Sequence, residues 1–234
     1  MSTCIITGAS RGIGRAVAIE LSKRKEIQDF ILIARDSVKL EETKKLMAPH
    51  NEIHICAVDV GDIDELSKIV NWAGESFGSI DYLLNIAGYA DPHSLIDTTN
   101  ENWETTYKVN VQAPFVLIRE SVPYMKEKGG VILNVASTAG ITPRPGWLAY
   151  SSSKAAIISM SETLTDELME YGIKVYCISP GRCATDLRRA LAPDEDQSKI
   201  MQPSHVAKVI SNMIFENENC LDGQNIIVRK PVLR

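Results

Sequence analysis

Short apolar runs alternate with longer amphipathic stretches along nearly the whole chain, and this alternation leaves few folds open. Strands are predicted at 3–7, 30–34, 53–58, 82–86, 131–135, 173–178 and 226–228, and helices at 12–23, 37–46, 63–77, 102–124, 149–171 and 204–215. A strand that returns through a helix lies parallel to its neighbour. The pattern therefore predicts an α/β fold, a doubly wound parallel sheet of about seven strands flanked by helices on both faces. Nothing repeats at a solenoid period and no linker or low-complexity segment divides the chain, so 1–234 reads as one domain. With 234 residues, 44% of them hydrophobic, the chain is long enough to bury one sizeable core.

Sheets of this kind bind ligands at the carboxyl ends of their strands. Here the first strand, Cys4-Ile5-Ile6, runs directly into Thr7-Gly8-Ala9-Ser10-Arg11-Gly12-Ile13-Gly14. Gly8, Gly12 and Gly14 let the backbone turn tightly and approach a pyrophosphate, while the following helix points its first N–H groups at the anion. The spacing is not the usual GxGxxG, and a glycine-rich turn alone is weak evidence. A second constellation strengthens it. Tyr150 and Lys154 are four residues apart and share a helix face. A neighbouring ammonium favours the phenolate, so Lys154 is expected to bring the Tyr150 phenol down from its ordinary pKa of about 10. Ser137, upstream, supplies a hydroxyl that can hold a carbonyl or alcohol oxygen beside that phenol. The set suits moving a proton to or from oxygen while a bound cofactor carries hydride.

Together these residues resemble the short-chain dehydrogenase/reductase family from the first strand to the last. The TGxxxGxG pattern is met by Thr7, Gly8, Gly12 and Gly14, and the NNAG motif by Asn85-Ile86-Ala87-Gly88, with Ile86 in place of the second Asn. The helix asparagine corresponds to Asn110, the serine to Ser137, YxxxK to Tyr150 and Lys154, and the PG motif to Pro180-Gly181. The resemblance implies a Rossmann-type fold and an NAD(P)(H)-dependent oxidoreductase that interconverts a ketone or aldehyde and an alcohol. Among members it is similar to the NADP-dependent carbonyl reductases of the 3-oxoacyl-carrier type. It implies Asn110, Ser137, Tyr150 and Lys154 as the catalytic set, with Asn110 holding a helix so that a water links Lys154 to solvent. Cofactor contacts are implied for Ser10, Arg11 and Ile13 within the glycine loop, for Asp59 and Val60 at the adenine, and for Asn85, Ala87 and Gly88 at the ribose. Lys154 would also bond the nicotinamide ribose, and Pro180, Gly181 and Thr185 would lie toward the carboxamide. Two other classes stay open: a catalytically idle cofactor-binding scaffold or sensor, and a non-redox epimerase or dehydratase, which usually belongs to longer relatives.

The cofactor is read from the end of the second strand. An acid about 20 residues past the glycine loop usually grips the ribose of NAD, whereas this chain has Ile33-Ala34-Arg35 there. Arg35 with Arg11 suits a 2′-phosphate, which favours NADP(H). NAD(H) is the alternative if Asp36 reaches the ribose instead of capping the next helix.

The net charge of −5 with scattered basic residues argues against nucleic acid. No apolar run approaches the roughly 18 residues a membrane helix needs, and Met1-Ser2-Thr3 leads straight into the first strand, so a soluble, cytoplasmic protein is expected. Five cysteines without a CxxC pair, and four unclustered histidines, give neither metal spacing nor a disulfide framework. Cys183, in the loop after Pro180-Gly181, is expected either to pack or to line the cofactor pocket. Segment 186–202 is a short polar candidate lid. Arg188 and Arg189 within it, with Arg144 near the cleft mouth, are candidates to attract an anionic substrate such as a sugar phosphate or acyl-carrier thioester, unless they are merely solvated. Trp147 is expected to wall the substrate pocket or to pack. By resemblance, the helices at 102–124 and 149–171 would build a homodimer or homotetramer.

Overall fold

The structure is a computed structural model that describes residues 2–216 and 220–231. Its strands are β1 (Thr3–Thr7), β2 (Asp29–Ala34), β3 (Glu52–Ala57), β4 (Tyr82–Asn85), β5 (Gly130–Val135), β6 (Ile173–Pro180) and β7 (Asn225–Val228). The helices are α1 (Gly12–Leu21), α2 (Ser37–Leu46), α3 (Ile63–Phe77), α4 (Asn100–Tyr107), α5 (Ala113–Met125), α6 (Leu148–Leu168), α7 (Asp186–Leu191) and α8 (Pro203–Phe215). The strands form one sheet in the order β3-β2-β1-β4-β5-β6-β7, and every neighbouring pair is parallel. The chain winds outward in both directions from the β1–β4 junction, which opens a crevice at the strands' carboxyl ends.

The central strands are apolar throughout because both faces are covered. In β1, Cys4 and Ile6 face the layer that holds Val17, Leu21, Val206 and Ile210, and Ile5 faces the opposite layer with Leu66, Val70 and Leu117. β2 divides the same way, with Phe30 and Leu32 on the first face and Ile31 and Ile33 on the second. Each such side chain, removed wholly from water, contributes on the order of 1.5–3 kcal/mol. Helix ends follow from local chemistry: the Lys39 N–H donates to Asp36 Oδ1 (3.0 Å) at the start of α2, and Gly78, at φ +76°, closes α3.

The helix predicted at 102–124 is interrupted. Between α4 and α5, residues Lys108–Gln112 form a π-helical turn. Pro114 has no N–H to return to the carbonyl four residues back, that of Asn110, so the regular ladder cannot pass through this point. Strand β6 runs farther than predicted, to Pro180, because β7 lies alongside it and the Gly181 N–H donates to Val228 O at 2.8 Å. The segment 186–202 contains α7, a helix outside the six predicted from the sequence. No helix among the described residues is long and apolar enough to cross a membrane.

Candidate active site

A cleft of about 1050 Å³ runs along the carboxyl edge of the sheet. At its centre the backbone is packed so tightly that glycine is required. A Cβ on Gly14 would stand 2.2 Å from Gly8 O, and one on Gly8, at φ +71°, would stand 3.0 Å from Ala87 N and Cα. Gly12 has φ +55°, and a Cβ there would lie 3.2 Å from Thr185 Cγ2, so Thr185 sits over the glycine loop. Ser10, Arg11 and Ile13 line the same wall. Thr7, read from sequence only as the head of the glycine motif, fastens this loop to its neighbour: its Oγ1 accepts from Ile86 N (2.9 Å) and Ala87 N (3.1 Å).

At one end of the cleft stand Arg35, Asp36, Asp59 and Val60. Asp36 is engaged as the cap of α2, and the Lys39 N–H it accepts holds its carboxyl below the usual carboxylate range. Asp59 Oδ1 accepts from Gly61 N at 2.8 Å, shaping its own turn, and Oδ2 lies 3.6 Å from Arg35 Nη1. That contact is exposed and holds little energy, so the Arg35 guanidinium stays available. Lys108 also lines this end, beside Gly61, and no motif marks its position.

At the other end Ser137, Tyr150 and Lys154 come together. Ser137 follows β5 and accepts from Ala139 N at 3.1 Å. The half-buried Tyr150 phenol is pushed up in pKa by burial, while a hydrogen bond from Ser137 and the Arg144 charge draw it back down. Lys154 is buried, and its Nζ donates to Val135 O at 2.8 Å. The ammonium is 5.9 Å from the Tyr150 ring centre. The expectation that Lys154 is what lowers the Tyr150 pKa is thus corrected: helix spacing brings the pair together, but the ammonium is directed at a strand carbonyl. Burial in turn lowers the Lys154 pKa to about 8. Trp147 meets the Tyr150 ring edge-on, with centroids 5.7 Å apart.

Asn110, in the π-helical turn, is buried and fully engaged. Its Oδ1 accepts from Tyr89 N (2.9 Å), and its Nδ2 donates to Tyr89 O (2.8 Å) and Ser153 Oγ (3.0 Å). It thereby ties the loop after β4 to α6, one residue from Lys154. Gly88 backs onto the same pair, since a Cβ there would stand in ordinary contact, 3.6 Å from both Asn110 Oδ1 and Lys154 Nζ. Ala87 lines the cleft with Gly88, but Asn85 does not. Asn85 lies opposite Asn134 of β5, and its Nδ2 donates to Asn134 Oδ1 at 2.8 Å, so its side chain joins β4 to β5 and leaves only its backbone for a ribose.

Pro180, Gly181 and Cys183 line the cleft beside Thr185. Cys183 is buried, its thiol pushed up to about 11 by burial, and its backbone bridges to Met201. Thr185 caps α7 by accepting from Arg188 N at 3.1 Å. Arg188 and Arg189, open between drawing an anionic substrate and being solvated charges, both carry carboxylate partners. Arg188 grips Glu195 with two bonds of 2.6 and 2.9 Å, Arg182 adds a third at 3.0 Å, and Arg189 pairs with Asp186 at 2.8 Å.

The comparisons agree with this arrangement. The family profile described as short chain dehydrogenase matches residues 2–196. An uncharacterized oxidoreductase of Staphylococcus epidermidis is 30% identical over 208 residues, covering 88% of this chain and 87% of the relative. A 3-oxoacyl-acyl-carrier-protein reductase of Thermotoga maritima is 29% identical over 235 residues, covering 95% of this chain and 94% of the relative. Levodione reductase superposes with a TM-score of 0.88 at 22% identity, covering 97% of this chain and 96% of that one. The 3-ketoacyl-acyl-carrier-protein reductase from Brucella melitensis, complexed with NADH, superposes with a TM-score of 0.85 at 23% identity over the same shares. At that identity the two structures share the fold. The profile match and the glycine-loop, serine and tyrosine–lysine residues gathered in one cleft lead to one conclusion: the chain belongs to the short-chain dehydrogenase family and is an oxidoreductase.

Proposed function

We propose that the protein reduces the carbonyl of a small ketone or aldehyde to an alcohol with NADPH. The observation that carries this reading is a single continuous cleft with Ser137, Tyr150 and Lys154 at one end and Arg35 beyond the glycine loop at the other. The residues fit a nicotinamide dinucleotide. The missing side chains at Gly8, Gly12 and Gly14 leave room for a pyrophosphate at the start of α1, with Ser10, Arg11 and Ile13 around it. Arg35 and Arg11 would hold a 2′-phosphate, Asp59 and Val60 the adenine, Ala87 and Gly88 a ribose, and Pro180, Gly181, Cys183 and Thr185 the carboxamide end.

When bound, the cofactor supplies the hydride. Tyr150 supplies the proton, donating it to the carbonyl oxygen as negative charge develops there. Because burial keeps the phenol protonated, the resting site is set for reduction. Ser137 holds the same oxygen and the phenol together. Lys154, charged at neutral pH and held by Val135 O, would bind ribose hydroxyls, while the Ser137 hydrogen bond and the Arg144 charge favour the phenolate left after transfer. Asn110 keeps the Lys154 wall in place by joining Tyr89 to Ser153. The intact set argues against an idle scaffold, and no residue assignment favours a non-redox reaction. The names of two relatives make a 3-oxoacyl thioester one substrate to assay; a sugar-phosphate ketone lost support when Arg188 and Arg189 proved paired.

The cofactor preference is tested by Arg35→Ala. It should raise the KM for NADPH by about tenfold or more, the scale of one charge-assisted hydrogen bond, and leave NADH nearly unaffected. Equal weakening of both cofactors would make Arg35 structural and return NAD(H), held through Asp36, to first place.

A further inference from the structure

We infer that Arg144 selects the substrate, and that the ketone reduced here carries a carboxylate close to its carbonyl. The inference deepens the reductase reading and rests on it. Arg144 is exposed and lines the cleft with Ser137, Trp147 and Tyr150. Every other arginine lining the cleft has a carboxylate partner: Arg11 has Asp186, Arg35 has Asp59, and Arg182 and Arg188 share Glu195. Among the described residues Arg144 has none. Its charge nonetheless reaches the reacting group, since it is one of the influences that lower the Tyr150 phenol.

The backbone fixes where this side chain is mounted. Pro143 and Pro145 flank it, the Trp147 N–H donates to Arg144 O at 3.1 Å, and Gly146 sits at φ +77°. Proline and then glycine at the two central positions of a turn fix its geometry, so little backbone freedom is lost when a ligand binds. An arginine fork matches a carboxylate with two parallel N–H···O bonds. One guanidinium balances one negative charge. A phosphate dianion would leave excess negative charge beside Tyr150 and oppose the alkoxide that forms there. Trp147, packed against the Tyr150 ring, offers an apolar wall for the carbons between carboxylate and carbonyl.

The test uses 2-, 3-, 4- and 5-oxo acids, each with its methyl ester, plus a neutral diketone and a phosphorylated ketone, at saturating NADPH and low salt. The quantity read is the acid-to-ester ratio of kcat/KM. Any effect of Arg144 on Tyr150 acts on both members of a pair and cancels in that ratio. The wild-type protein should prefer the acid by about tenfold or more at one chain length, Arg144→Gln should bring the ratio near unity, and Arg144→Lys should recover part of it. A ratio unchanged in Arg144→Gln overturns the inference, as does preference for the phosphorylated ketone over every oxo acid. If the esters and the diketone are reduced while no acid is preferred, the inference fails and the reductase reading stands. If no carbonyl in the panel is reduced with NADPH or NADH, the reductase reading fails and takes this inference with it.

Discussion

Burying the Lys154 ammonium costs stability, and pH exposes the cost. Its pKa is about 8 in the folded protein against an ordinary 10.5. Below about pH 8 both folded and unfolded chains hold the proton, so the cost is constant there. Between about 8 and 10.5 the folded protein has lost it while the unfolded chain has not; unfolding then takes up a proton, and stability rises with pH. Without cofactor, wild type should gain up to about 3 kcal/mol relative to Lys154→Met across that window in urea denaturation. A pH-independent difference would show that the ammonium is not desolvated. The sequence placed Tyr150 and Lys154 on one face but could not show where Nζ turns, because Val135 O comes from a distant strand. The partner of Arg188 was hidden for a similar reason: Glu195 reaches it only after the chain reverses beyond α7. The motif position of Asn85 likewise could not show that its side chain bonds Asn134 across the β4–β5 pair.

Elements were most legible where apolar periodicity is strong. The predicted helices at 37–46 and 63–77 coincide with α2 and α3, and β1 coincides with its predicted strand. The π-helical turn was invisible because five wide-wound residues leave the pattern of a long helix almost unchanged, and α7 because six residues are too few to establish a helical period. The turn's energetic role can be measured at Asn110, whose side chain makes three hydrogen bonds to Tyr89 and Ser153. Each partner left unpaired costs about 1–3 kcal/mol, so Asn110→Leu should lose at least about 2 kcal/mol in urea denaturation. Amide exchange in the loop around Tyr89 should accelerate, and Asn110→Asp, which keeps the acceptor, should fall between the two. Wild-type stability in the Leu variant would mean that the π-helical turn does not depend on this side chain.

At the scale of the molecule, the motifs' convergence was readable because each follows a strand and all seven strands are parallel. What the surface does was less so. Trp103, stacked on Tyr107 with centroids 4.6 Å apart, and Phe115 are exposed on α4 and α5, and Leu148 is exposed where α6 begins. We propose that these helices pair copies of the chain into a homodimer or homotetramer, and that 186–202 acts as a lid over a one-domain body. Light scattering at micromolar concentration should find the assembly, and Phe115→Glu with Trp103→Glu should weaken it; a monomeric wild-type protein would contradict the proposal.

Proton donation by Tyr150 is what turns a cofactor cleft into a reductase. Wild-type protein and Tyr150→Phe should be assayed side by side for ketone-dependent NADPH consumption and alcohol formation, with NADPH affinity measured on both by fluorescence. The variant should bind NADPH within about twofold of wild type yet lose kcat by at least about a hundredfold, the scale of a missing general acid. Turnover at the wild-type rate in a folded, NADPH-binding Tyr150→Phe would contradict the mechanism at its centre.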